Sequence, residues 1–83
     1  MFFGIIVRMY CGTAEHSPPH VHVYYQDYRA IFDIVSGDIA DGRFPARQTR
    51  LVVAWIELHR DELMADWALA SQGELPFRIE PLH

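Results

Sequence analysis

Hydrophobic and polar positions alternate through the first half of the chain and then change period. Phe2 to Tyr10 is rich in Ile, Val and aromatics, which suits a strand. Its alternation puts Phe3, Ile5, Val7 and Met9 on one face and Gly4, Ile6, Arg8 and Tyr10 on the other. Cys11 to Pro19 carries Gly12, Ser17, Pro18 and Pro19, residues that mark a loop. In a second strand, His20 to Tyr25, Val21, Val23 and Tyr25 point inward and His20, His22 and Tyr24 outward. After the short Gln26-Asp27-Tyr28 connection, Arg29 to Val35 is a third strand, with Ala30, Phe32 and Ile34 inward and Arg29, Ile31 and Asp33 outward. Ser36-Gly37-Asp38 is a hairpin signal, because Gly supplies the positive φ of a tight turn. Ile39-Ala40 is then a short fourth strand, closed by Asp41-Gly42. Strands this closely spaced predict an antiparallel meander over 2–42, since parallel pairs need long crossovers.

The second half has helical period. Pro45 suits a first helical position, where its missing N–H costs nothing, and Leu51, Val52, Trp55 and Leu58 share a face. A second start lies at His59: as N-cap it puts Glu62 at N3, where it reaches back to the cap's N–H, and Leu58 and Leu63 form a hydrophobic staple. The rival is one helix to Ala70 with Val52, Ile56, His59, Leu63, Trp67 and Ala70 as its stripe. Such a helix would span roughly 35–40 Å, long for so small a body. A break near His59, and hence a pair of helices over 45–72, is therefore expected. Gly73 ends the second helix, and 75–82 is an extended tail, a docking segment or an edge strand. Together these elements predict one α+β domain over 1–83. An antiparallel β-meander of three to four strands is covered on one face by a C-terminal pair of helices, with Trp55, Trp67 and Phe32 anchoring the interface.

Composition supports a single core. Of 83 residues, 51% are hydrophobic and 22% charged, enough to collapse rather than stay disordered. The net charge of −4 (11 acidic against 7 basic residues) argues against broad coating of nucleic acid, which needs a basic excess to release counterions. All seven basic residues are arginine. Arginine forks favour specific anionic contacts over diffuse attraction. The lone Cys11 cannot form an intramolecular disulfide and fits a reducing cytoplasm. The apolar N-terminus stops at Arg8 and lacks the flanks of a signal peptide, and no apolar run approaches the ~20 residues of a membrane span. A cytoplasmic protein without membrane contact is expected.

Candidate chemistry concentrates on the outward strand face. Arg8, Tyr10, His20, His22, Tyr24, Arg29 and Asp33 collect there, with His16 nearby in the proline-stiffened loop. This set can bind an acidic peptide or a phosphate through arginine forks, or stack a base on tyrosine. An ordinary mixed-charge sheet surface accounts for the same pattern. His16, His20 and His22 are also the candidate ligands for a divalent metal, with Glu15 or Asp33 as a further carboxylate; otherwise no cofactor is expected. Arg43, Arg47 and Arg50, around the first helix start, are a second candidate anion site, or simply pair with Asp41 and Glu57. Gly-rich phosphate loops, paired cysteines, His-Glu-x-x-His and serine elbows are absent. The remaining catalytic idea is a small nuclease with His20 or His22 as acid/base and Arg8 or Arg29 stabilising charge.

Phe3-Gly4-Ile5, Ile6-Val7-Arg8-Met9-Tyr10 and His16-Ser17-Pro18-Pro19-His20-Val21-His22-Val23 resemble the start of a small bacterial family, domain of unknown function 4160. Ser36-Gly37-Asp38 and Trp55 to Leu63 extend the resemblance to nearly the whole chain, from Phe3 to Leu82. Ser17 stands where that family has Asn. The resemblance implies an uncharacterised cytoplasmic domain encoded beside a second small protein in toxin–antitoxin-like pairs, and it transfers no catalytic residues. The function expected is a small protein- or anion-binding module of such a two-gene system; the alternative is a histidine-based or metal-assisted nuclease or hydrolase using His16, His20 and His22. A small protein partner encoded nearby is expected, and open strand edges are compatible with a homodimer.

Overall fold

The structure, a computed structural model, describes residues 3–10 and 18–71. The strands are β1 Ile6–Arg8, β2 His20–Tyr25, β3 Tyr28–Asp33 and β4 Ile39–Arg43, followed by the helix α1 Ala46–Ser71. They form one antiparallel sheet in the order β1-β2-β3-β4, the expected meander. β2 and β3 are joined by Gln26-Asp27, with Tyr25 paired to Tyr28 and Gln26 at φ 52°.

β1 is shorter than the expected 2–10, and β3 begins at Tyr28, expected in the connection, rather than at Arg29; two further strand ends differ from expectation for local reasons. β3 stops at Asp33 rather than Val35. The Asp33 carboxylate accepts the N–H of Val35 (2.8 Å) and of Ser36 (2.9 Å), which turns the chain, and Gly37 closes the turn at φ 80° by donating to the Asp33 carbonyl. β4 runs through Asp41-Gly42 to Arg43 instead of closing at Ala40. Gly42 makes this possible: at φ 88° it pairs with Ala30, and a Cβ there would lie 2.6 Å from the Arg29 carbonyl oxygen. The register shifts between Ile31 and Phe32, a bulge that leaves Ile31 opposite Asp41 and Phe32 opposite Ile39.

The strand phase is as expected. Ile5, Val21, Val23, Ala30, Phe32 and Ile34 are buried and meet Val52, Trp55, Ile56 and Leu63 of the helix. Burying each larger side chain contributes roughly 1.5–3 kcal/mol. Phe3, expected on this face, is 54% exposed, because at φ 48° the chain is not yet extended there.

The expected pair of helices is a single helix. Thr49 donates to the Pro45 carbonyl (2.8 Å) as it begins, and no Gly or Pro interrupts it up to Ser71. At His59 the backbone leaves helical geometry (φ −114°, ψ 19°), so the chain kinks without breaking where the break was expected. Glu62 reaches the His59 ring, Oε1 to Nδ1 3.0 Å, and the ring lies 5.4 Å from that of Trp55. One residue on, Arg60 Nε donates to the Ile34 carbonyl (3.0 Å) and ties the helix to the end of β3. Val52, Ile56, Leu63 and Ala70 are buried and His59 and Trp67 half-buried, the stripe of one continuous helix. Leu58, expected on the packed face, is 66% exposed. Gly73 and the 75–82 tail lie outside the described residues. No helix among the described residues is long and apolar enough to cross a membrane.

Candidate functional site on the open face of the sheet

The helix covers one face of the sheet, and the sequence leaves polar residues on the other. Pairing aligns them in rows. Arg8, His22, Ile31 and Asp41 occupy matched positions across β1 to β4, and Ile6, Tyr24, Arg29 and Arg43 form the next row. Between these rows lies a concavity of about 230 Å³, lined by His22, Tyr24, Arg29, Ile31 and Asp41 with the small residues Ala30 and Gly42.

Beside it the rings make a continuous chain. Tyr10 meets His22 edge-on at 4.7 Å, His22 lies 5.2 Å from His20, and His20 lies 4.9 Å from Trp67 of the helix. The hydroxyls of Tyr10 and Tyr24 are 2.7 Å apart and hydrogen-bonded. His20 Nδ1 lies 2.8 Å from the Pro18 carbonyl oxygen. A carbonyl only accepts, so Nδ1 carries the hydrogen and the neutral ring keeps its lone pair on Nε2.

Loss of solvent and hydrogen bonding dominate the electrostatics of this face. His22 is pushed below its ordinary 6.5 by loss of solvent, then by His20 and Arg29. The Tyr24 phenol is raised above 10.0, chiefly by its hydrogen bond with Tyr10. The guanidiniums of Arg8, Arg29 and Arg43 have no carboxylate within ion-pair distance among the described residues.

The sequence candidates are thus partly assembled. Arg8, Tyr10, His20, His22, Tyr24 and Arg29 come together on the open face. Asp33 is in register with His20, but its Oδ1 is occupied by the turn it caps. His16 lies outside the described residues. Among the described residues no three His, Cys, Asp or Glu side chains converge as metal ligands would. The arginine trio is divided: Arg43 stands on the sheet opposite Arg29, while Arg47 and Arg50 are exposed on the helix. Neither Arg47 nor Arg50 is paired with Asp41 or Glu57. Two residues of the open face, Asp41 and Arg43, lie beyond the Ala40 end that the sequence predicts for the fourth strand.

Fold and face together define a small two-layer α+β domain with one polar sheet surface that no described residue of another element covers. The chain belongs to the family described as Domain of unknown function (DUF4160), whose model matches residues 4–68. The match takes in all four strands and most of the helix but ends before the tail that the sequence resemblance had included. No curated protein and no solved structure matches the chain.

Proposed function

We propose that this protein is a small binding module that receives an anionic group of a protein partner on the open face of its sheet. One observation carries the reading: Arg29 lines a concavity on that face and stands directly opposite Arg43 of β4, and neither is neutralised by a carboxylate within ion-pair distance among the described residues. In a protein of net charge −4, two arginines set opposite each other at the edge of one hollow suit a specific anionic contact rather than diffuse attraction. The two-gene, toxin–antitoxin-like setting implied by the family resemblance supplies the partner class, a small cytoplasmic protein encoded nearby. Coexpression with the neighbouring gene product and size-exclusion chromatography test this. A complex is expected, lost on joint Arg29→Glu and Arg43→Glu substitution with circular dichroism unchanged. Absence of a complex, or a complex indifferent to the substitution, contradicts the reading.

A second reading, a histidine-based nuclease or hydrolase, is favoured by the 5.2 Å approach of the His20 and His22 rings beside Arg29. In it neutral His22 is the general base and Arg29 stabilises the developing charge; a metal-assisted form would add His16. RNA cleavage that is equal in native, His20→Ala and His22→Ala proteins eliminates it.

A further inference from the structure

We infer that the anionic group this face receives is a phosphate monoester dianion carried on a side chain of the partner. The inference rests on the binding-module reading above and specifies its ligand.

Charge is the first argument. Arg29 and Arg43 are directly opposite across β3 and β4, both exposed. Like charges in that relation destabilise a sheet. Arg8 stands in the adjacent row, and the carboxylate that lines the concavity is Asp41. Asp41 offsets one of the two guanidiniums that face each other, and the other is left to be met by a ligand. A partner carboxylate offers two oxygens, enough for one arginine fork; a phosphate monoester offers three acceptor oxygens that the forks of Arg29 and Arg43 can share.

Size is the second. At about 230 Å³ the concavity is smaller than the roughly 300–1,000 Å³ of pockets that enclose whole small molecules. It fits one group of a larger partner, not a free cofactor. Asp41 adds a condition: beside an anion it is unfavourable unless the ligand brings a hydrogen-bond donor, which the backbone N–H next to a phosphorylated residue provides.

Overall charge is the third. A nucleic acid strand brings a phosphate at every nucleotide against a molecule of net charge −4, whereas a single phosphorylated side chain engages only the local arginines.

The test is a titration of isotopically labelled protein with four probes: N-acetyl amides of phosphoserine, phosphotyrosine and glutamate, and adenosine monophosphate. The expected result is saturable shifts at Arg29, Ile31 and Arg43. At least one phosphoamino acid should bind at least tenfold tighter than both the glutamate amide and the nucleotide. Arg29→Gln and Arg43→Gln should each weaken that binding at least tenfold, with the remaining spectrum unchanged. A glutamate amide that binds as tightly as the phosphoamino acids overturns the phosphate inference and leaves the binding module standing. A nucleotide that binds tenfold tighter than both overturns it in favour of a nucleotide. If no probe saturates while the charge-sensitive complex with the neighbouring protein still forms, the phosphate inference alone fails; if that complex is also missing, both fail.

Discussion

Arg29 of β3 and Arg43 of β4 sit opposite each other on the face of the sheet away from the helix, with no carboxylate within ion-pair distance of either among the described residues. Two adjacent positive charges cost the free protein some stability, and a surface needed only for solubility would gain by replacing one. Arg43→Gln should therefore raise the unfolding free energy by about 0.2–1 kcal/mol while weakening anion binding. Denaturant midpoints at unchanged slope measure the first effect and titration the second. A variant that loses stability together with binding would show that Arg43 is structural.

His22 gives the face a pH signature. Loss of solvent, His20 and Arg29 lower its folded-state pKa below 6.5, so the unfolded chain takes up its proton first as pH falls. The stability linked to neutral His22 is fully present above about pH 6.5 and is lost as pH falls through the folded pKa. His22→Gln should flatten the stability–pH curve on the acid side of neutrality. A dianion bound beside Arg29 cancels one cause of the shift, so the His22 ring resonances should titrate at higher pH in the complex. Ring titrations that coincide with and without ligand would contradict a site at this position.

Asp33 separates structure from binding. Its carboxylate accepts two backbone N–H groups at 2.8 and 2.9 Å, so Asp33→Ala should cost about 1–3 kcal/mol of stability and leave anion affinity within twofold. Thermal melts and the same titration check both parts.

Gly42 is irreplaceable for two independent reasons. Its φ of 88° disfavours any side chain, and a Cβ would press on the Arg29 carbonyl oxygen at 2.6 Å. Gly42→Ala should destabilise by more than about 1 kcal/mol and displace Arg29, weakening binding as well. An alanine variant of native stability would show that this part of β4 takes another course.

The same residues show how far the sequence was legible. Val21/Val23 against His20/His22, and Ala30/Phe32 against Arg29/Ile31, announced which face is buried, because a strand's period of two leaves no third choice. The helix stripe was equally plain, but not its continuity. Local capping signals at His59 and Glu62 suggested a break, and whether they end a helix or bend it depends on tertiary contacts such as Arg60 to the Ile34 carbonyl, made across 26 residues. The open-face cluster was legible up to Tyr24 and Arg29. Its far side was not, since Gly42 looks like a terminator in sequence yet here continues the strand through a left-handed residue. The approach of Trp67 to His20 is a long-range contact with no sequence signal at all.

The central claim is that Arg29 and Arg43 together hold one anion. Side-chain Nε–Hε spectra of the arginines during titration with the N-acetyl amides of phosphoserine and phosphotyrosine test it most directly. With at least one of them, the Arg29 and Arg43 signals should move together and saturate with a single affinity, while those of Arg47 and Arg50 stay in place. With both probes, immobile Arg29 and Arg43 signals, or equal drift of all the arginines, would contradict it.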